Sequence, residues 1–162
     1  MNDQPKNQTA SGGKPNPMER RLVLRLLKYW REIGGDESFP ALADIDKDAI
    51  PDMWSYCALL AVAGPNSDPI ISYMGTAIGG DGGQDLTGKP LSAAAPDTLP
   101  GRAMSYYKQV LAKMVPITLG GEFTDARSRK VLYRSIVLPL ADDGKTIDHL
   151  LCAANCRIVT QT

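Results

Sequence analysis

The chain has 162 residues, a length that predicts one domain with a short tail, and 18 basic residues balance 18 acidic ones. This balance provides no global field that attracts nucleic acid, and no apolar stretch approaches the roughly 20 residues that span a bilayer. Three cysteines without a CxxC pair fit a reducing compartment, and the polar N-terminus lacks the apolar segment of a signal peptide. We therefore predict a cytoplasmic globular protein without disulfides or a metal site.

The N-terminal part divides into a polar tail and an amphipathic helix. Residues 1–16 have almost nothing to bury and are predicted to be disordered. Asn16 and Pro17 suit the start of a helix, and Gly34-Gly35 suits its end. These signals divide the chain into a tail (1–16), a helix (17–35) and a domain (36–162). The helix carries an apolar stripe at helical spacing: Leu22, Leu26, Tyr29 and Ile33, widened by Val23, Leu27 and Trp30.

The middle of the chain alternates between strand and helix signals. Asp46 is expected to cap a single turn within the acidic segment Asp44–Asp52. Trp54–Ala63 and Pro69–Met74 predict two antiparallel strands, and Pro116–Phe123 predicts a third. Between the second and third strands, Gly101–Val115 predicts one long helix, whose apolar side carries Ala103, Met104, Tyr107, Val110, Leu111 and Met114.

The C-terminal third predicts a long hairpin. Val131–Leu140 and Thr146–Val159 are joined by Ala141–Lys145, which contains the turn dipeptide Asp143-Gly144. The second strand alternates between two faces. The apolar face consists of Leu150, Cys152, Ala154, Cys156 and Ile158, and the other face carries His149, Asn155 and Arg157. Such a sheet needs helices over its apolar face, which predicts an α+β fold.

The element order and several segments resemble the PAS superfamily. Asp85–Leu91 (DLTGKPL) is similar to the short-helix segment of PAS domains, and Ile136–Gly144 is similar to their penultimate strand and its turn. The chain is also similar to small bacterial proteins in which a single PAS domain follows an N-terminal helix. In that group an aromatic Tyr-Trp pair ends the helix, here Tyr29-Trp30, and an extended segment follows, here Pro40–Asp46. The resemblance implies a PAS-like five-stranded antiparallel sheet with helices on one face, behind an N-terminal amphipathic helix.

The resemblance also bears on cofactors. Haem-binding PAS sensors use a histidine on the long helix, and Gly101–Val115 contains none. Flavin-binding photosensors use a cysteine in an Asn-Cys-Arg-Phe context within the helical crossing, whereas Asn155-Cys156-Arg157 lies in the last predicted strand. We therefore expect neither haem nor flavin.

A PAS sheet often leaves a cavity beneath its helices, which would hold a small apolar or weakly acidic ligand. Tyrosines there offer an apolar body with a polar tip, and an arginine in the fourth strand either faces solvent or meets a carboxylate. A fully packed core without a ligand is the alternative. The predicted lining consists of Tyr73, Met104, Tyr107, Leu111, Arg134, Ile136 and Leu138.

The first helix also suggests an interaction surface. Its apolar stripe would be too large to leave exposed on a monomer, so Leu22, Leu26, Tyr29, Trp30 and Ile33 are the predicted interface to a second copy or a signalling partner. The opposite side is basic, with Arg20, Arg21, Arg25, Lys28 and Arg31. These residues could pair with Asp44–Asp52 across a dimer or contact an anionic membrane, although a solvated face is the simpler reading.

Catalysis has little support in the sequence. His149 is the single histidine, and Ser135 could be imagined as a nucleophile for it, but Asp148 beside it should point to the opposite face of a strand. We therefore predict a non-enzymatic PAS-type regulatory module that acts through protein–protein contacts and does not bind nucleic acid. The alternatives are a small hydrolase or isomerase that uses Tyr107 or His149, and a peripheral membrane protein attached through the first helix.

Overall fold

A computed structural model describes residues 17–35, 37–64, 66–79 and 84–159. The predicted disorder of residues 1–16 and the predicted cap at Asn16 lie outside these residues. Helix α1 spans Pro17–Trp30, as its apolar stripe predicts, and continues into a wider helical turn over Arg31–Gly35. Gly34 ends this turn with φ of 114°, a backbone conformation that glycine adopts without steric cost.

Five strands form one antiparallel sheet in the order β2-β1-β5-β4-β3. The strands are β1 (Cys57–Ala61), β2 (Ile70–Met74), β3 (Ile117–Thr124), β4 (Lys130–Leu140) and β5 (His149–Val159). The predicted hairpin of β4 and β5 is confirmed, with Pro139 opposite Leu150 and Val131 opposite Ile158. Its loop is longer than predicted, because β5 begins at His149 rather than Thr146.

The first predicted strand is shorter than its apolar run. Residues Trp54–Tyr56 form a single 3₁₀ turn, and β1 begins only at Cys57. Trp54 stacks on Tyr73 with ring centroids 4.5 Å apart, and the Tyr73 hydroxyl donates to the Trp54 carbonyl at 3.0 Å. This aromatic contact holds the turn. The predicted cap at Asp46 is confirmed, since its side chain accepts the backbone N–H of Asp48.

The single long helix predicted over Gly101–Val115 is wrong. The structure has two short helices, α2 (Leu99–Ala103) and α3 (Tyr107–Lys113), which are separated by a turn. Thr98 caps α2 through the Gly101 N–H, so that helix begins before the predicted start. The break rotates the following residues, and Tyr106 enters the core while Met114 stays exposed.

The sheet is covered on both faces, and each face has its own core. The short helical segments α2, α3 and Leu91–Ala93 cover one face, called here the helix side. Helix α1 covers the other, called the α1 side, where Leu26 packs with Ile136, Leu138 and Leu151. The alternation predicted for β5 is confirmed, since Leu150, Cys152, Ala154 and Cys156 all belong to the helix side. Its second face is nevertheless buried too, beneath α1.

Candidate functional site

The seven residues predicted to line one pocket lie on opposite faces of the sheet. Met104 is fully buried on the helix side, and Tyr107 and Leu111 pack against that core. These three residues therefore remain together, beneath the helices, where the resemblance places a PAS cavity.

The other four residues lie on the α1 side. Ile136 and Leu138 are fully buried beneath α1, and Tyr73 packs against the same core. Arg134 has the same parity along β4 as Ile136 and Leu138, so it shares their face. Both faces of β4 are apolar because α1 packs on one face and the short helices pack on the other. The sequence pattern alone does not show which residues of β4 contact α1 and which contact the short helices.

A pair of buried hydroxyl groups, absent from the sequence prediction, occupies the helix-side core. The Tyr106 and Ser135 hydroxyl oxygens lie 2.8 Å apart, and both residues are buried. The Tyr106 hydroxyl also approaches the carbonyl oxygen of Ile117 at 3.4 Å. Burial is the main cause that raises the pKa of the Tyr106 phenol above its usual range. The pair therefore joins the α2–α3 turn to β3 and β4 as neutral hydrogen-bonding groups.

Tyr107 also lines an open cleft of about 300 Å³ beside the helices. The walls include Leu91, Ala94 and Gly101, and polar groups come from Asp68, Ser92 and Lys108. Asp68 accepts both the hydroxyl and the backbone N–H of Ser92, which fixes this wall. The cleft is small for a ligand pocket and opens to solvent.

The predicted interface on α1 is largely covered within the chain itself. Leu22, Leu26 and Trp30 are buried against the sheet, whereas Tyr29 and Ile33 are half-buried. The Trp30 indole N–H donates to the Pro139 carbonyl at 2.9 Å. The stripe is therefore not an exposed surface in this structure. Sequence periodicity showed that the stripe must be covered, but it could not identify the cover.

The basic side of α1 also finds acidic partners within the chain. Arg25 forms a two-pronged contact with the Asp52 carboxylate, with its Nη1 at 2.7 Å from Oδ2 and its Nη2 at 3.2 Å from Oδ1. This contact holds the pKa of Asp52 below its usual range. Lys28 pairs with Glu32 one turn further along. The pairing considered between the acidic segment and these arginines thus occurs in cis for Arg25 and Asp52.

The prediction that Asp148 cannot orient His149 is wrong. Asp148 Oδ1 lies 2.9 Å from His149 Nδ1. Strand alternation does not apply, because β5 begins at His149 and Asp148 still belongs to the loop. Ser135, however, pairs with Ala154, about 17 Å from His149 at ~3.3 Å per residue, and lies on the helix side. The histidine therefore has an orienting carboxylate, but this serine is too distant to act as its nucleophile.

The sheet separates Cys57 from the other two cysteines. Cys57 is buried on the α1 side and Cys152 on the helix side. Burial raises the pKa of the Cys57 thiol to about 12 and raises that of Cys152 as well. Both thiols are therefore protonated packing groups at neutral pH. Within the described ranges, no cluster of three or more His, Cys, Asp or Glu residues could hold a metal ion.

A family model described as the PAS fold matches residues 58–156, which include all five strands except the first residue of β1 and the last three residues of β5. The chain belongs to the PAS family. The predicted fold class is thereby confirmed: an α+β PAS domain with a five-stranded antiparallel sheet and an N-terminal helix.

Several solved PAS-type structures resemble the chain at low identity. The light-state LOV domain of the blue-light photoreceptor Aureochrome1 is 16% identical, with a TM-score of 0.45, and the match covers 72% of this chain and 90% of that one. A sensory box sensor histidine kinase from Vibrio cholerae is 18% identical, with a TM-score of 0.43, and the match covers 69% and 90%. A comparison with curated protein sequences gives no match.

PAS family membership places the chain among sensory domains, which generally lack enzymatic activity of their own. No helix among the described residues has the length and apolarity that crossing a membrane requires. The Asn155-Cys156-Arg157 tripeptide lies in β5, as the sequence predicted, and not in the helical crossing. The absence of haem and flavin stays a prediction.

Proposed function

We propose that this PAS domain is a non-enzymatic sensory or regulatory module that works by binding another protein chain. The observation that carries the proposal is an exposed apolar segment that leads into β3 and includes its first half. Met114 and Val115 are each 46% exposed and Leu119 is 37% exposed, within six residues of one another. Exposed apolar side chains close together favour a protein contact, whereas the α1 stripe is already buried.

A small ligand on the helix side would give the module its input. Three of the predicted pocket residues lie on this side, in the same core as the Tyr106–Ser135 pair: Met104, Tyr107 and Leu111. A ligand that separates these two hydroxyls would have to supply replacement hydrogen bonds, because buried polar groups without partners are costly. An apolar molecule with one polar or weakly acidic group fits this requirement. Its binding would shift the α2–α3 turn relative to β3.

Native mass spectrometry of the protein, purified gently from its own source, tests both statements. We expect each chain to appear in an assembly, with itself or with a second protein, under conditions that preserve the fold. An extra mass that denaturation removes would identify the ligand class. A bare monomer in every preparation would contradict the proposed interaction function.

The enzymatic alternative is tested by His149→Ala. The contact with Asp148 favours a hydrolase or isomerase more than the sequence did, since it gives the imidazole a fixed orientation. The regulatory proposal predicts that the variant keeps its assembly and its stability to within about 0.5 kcal/mol, as is typical of a substitution away from the core. Loss of a measured hydrolytic or isomerase activity in the variant would instead support the enzyme.

A further inference from the structure

The two edges of the sheet are finished differently. At the β2 edge, the Ile71 N–H donates to the Lys89 carbonyl, the Gly88 N–H donates to the Ile71 carbonyl, and the Leu91 N–H donates to the Pro69 carbonyl. These hydrogen bonds cover the outer side of β2 with a segment of the chain. Within the described residues β3 pairs with β4 alone, and residues 118–122 are all exposed. The β3 edge is therefore open.

The hydrogen-bond pattern shows which groups β3 offers at this open edge. The Asp125 N–H donates to the Arg129 carbonyl, which makes this residue pair a hydrogen-bonded one. In an antiparallel ladder such pairs alternate, so the odd-numbered residues of β3 bond to β4. The backbone N–H and C=O groups of Thr118, Gly120, Glu122 and Thr124 consequently point outwards. A row of outward-pointing groups of this kind is a template for another strand.

Arg134 extends across β3 towards the same edge. It lies opposite Gly120, and a Cβ placed on Gly120 would be 3.7 Å from both Nε and Cζ of Arg134. The guanidinium therefore covers the position where a side chain at Gly120 would lie. Its Nε is buried and has no hydrogen-bond partner among the described residues. A buried donor of this kind favours an acceptor that arrives from outside.

We propose that β3 pairs antiparallel with β3 of a second copy of this chain, about a two-fold axis at Gly121. This inference rests on the proposed interaction function and names its partner and its surface. The register places Gly120 opposite Glu122 of the second copy, Leu119 opposite its Phe123, and Thr118 opposite its Thr124. Outward-pointing residues then meet outward-pointing residues, as an antiparallel ladder requires. A two-fold axis uses the open β3 edge of both chains, so no further chain can add there and the assembly is a dimer.

Charge selects this register over its neighbours. In this register Glu122 of the second copy lies opposite Gly120, which itself lies opposite Arg134. The Glu122 carboxylate and Arg134 are therefore on the same face of the joined sheet, two strands apart. Two strand spacings are about 10 Å, which extended arginine and glutamate side chains cover together. Glu122 also contacts Lys130 at 3.4 Å in its own chain, and its second oxygen leaves an acceptor for the guanidinium. A shift of the register by two residues in one direction would place Glu122 of one chain opposite Glu122 of the other. Repulsion between the two carboxylates disfavours that register.

The apolar side chains agree with the same register. Leu119 is the exposed apolar residue on the helix-side face of β3, where Phe123 is buried beneath Arg102 and beside Tyr133. The proposed register places Leu119 against the Phe123 ring of the second copy. Gly121 on the axis has no side chain, so the two strands can approach there without a clash. Each contact occurs twice because of the symmetry.

Charge reversal in separate chains tests the pairing. We expect Glu122→Arg and Arg134→Glu, each alone, to weaken wild-type self-association on the order of 100-fold in sedimentation velocity over a range of concentrations. An equimolar mixture of the two variants should restore a heterodimer, because each chain then meets its opposite charge in the other. An ion pair within one chain cannot be rescued by mixing. Thermal melting of each variant checks that it is folded.

A matched pair of variants separates the two edges. Ile70 is 42% exposed on the closed β2 edge, which makes Ile70→Lys the control for Leu119→Lys on the open edge. Self-association should fall with Leu119→Lys and stay unchanged with Ile70→Lys. A dimer that survives the β3 variants, or a wild-type chain that is monomeric at every concentration, overturns the pairing. If that monomer still binds a different protein in native mass spectra, the proposed function stands; a monomer without any partner contradicts both.

Discussion

The two faces of the sheet are covered in different ways. The α1 side is covered mainly by one continuous helix, which buries Leu22, Leu26 and Trp30 and adds the buried hydrogen bond from Trp30 to the Pro139 carbonyl. The helix side is covered by short segments separated along the chain, and the Tyr106–Ser135 pair joins them to the sheet. The first is one continuous segment of the chain, whereas the second consists of several separate segments. A signal that acts on the whole sheet would therefore move α1 more simply than α2 and α3.

The largest expected effect comes from removing the indole of Trp30. Trp30→Ala should lower the free energy of unfolding by about 3 to 5 kcal/mol, because it leaves a cavity beneath α1 and deprives the Pro139 carbonyl of its donor. Urea unfolding followed by circular dichroism measures the loss. Leu24 is 55% exposed on the same helix, so Leu24→Ala is the control and should change stability by less than about 0.5 kcal/mol. Equal losses in the two variants would mean that α1 does not pack as described.

Alkaline pH should destabilise both faces through their cysteines. The folded-state pKa values of Cys57 and Cys152 are raised, so their contribution is complete below the unfolded pKa of about 8.5 and is lost as the pH rises towards the folded values. For Cys57 this window extends to a pKa of about 12. Each thiol should remove about 1.4 kcal/mol per pH unit within its window.

The two thiols allow this pH effect to be assigned to a face. Urea unfolding of Cys57→Ala and Cys152→Ala at pH 8 and pH 10 compares the α1 side with the helix side. Each variant should show a smaller loss between the two pH values than the wild type does. A variant whose loss equals that of the wild type would show that its thiol is not shielded in the folded chain.

A smaller effect is expected from the hydroxyl pair. Tyr106→Phe removes one hydroxyl without changing the ring and leaves the buried Ser135 hydroxyl without this partner, which should cost about 1 to 3 kcal/mol. The neighbouring variant Tyr107→Phe, at a half-buried position, is the control and should change stability by less than about 0.5 kcal/mol. Urea unfolding of the two variants decides the outcome. A larger loss from Tyr107→Phe would indicate that Tyr107, not Tyr106, holds the turn.

The smallest effect should come from the exposed contact between α1 and the acidic segment. Arg25→Gln removes the ion pair with Asp52, and the expected loss of stability is the smallest of the series because both side chains are exposed to water. The loss should shrink further at high salt, since screening weakens exposed charges. Thermal melting at low and high ionic strength gives the comparison. A larger loss that salt does not reduce would show that packing of the arginine stem, and not its charge, holds α1.

Local signals in the sequence predicted the elements better than their partners. The Asp143-Gly144 turn, the alternation of β5 and the stripe of α1 each specify one segment, and the structure contains all three. The split between α2 and α3 has no local signal, because Tyr106 turns inwards to meet Ser135, which is distant in sequence. Tertiary contact overrides helix propensity at that point.

The candidate site was less predictable than the fold for a related reason. The sequence predicts Ile136 and Leu138 in one pocket with Met104. Both faces of β4 are apolar, so the pattern leaves the faces ambiguous, and only the position of α1 distinguishes them. The open β3 edge also escaped sequence reasoning, since Gly120 and Gly121 are noticeable only after Arg134 and Tyr133 are seen beside them. Sites built from several strands depend on register, which one strand does not encode.

The positions of the two tryptophans make the protein a one-sided optical reporter. The chain contains two tryptophans, and Trp30 and Trp54 both pack in the α1-side core. Indole emission should therefore shift to longer wavelength when α1 leaves the sheet, because water then reaches Trp30. A rearrangement confined to α2, α3 and the Tyr106–Ser135 pair would leave that emission almost unchanged. Intrinsic fluorescence can thus distinguish, without any label, which cover of the sheet responds to a signal.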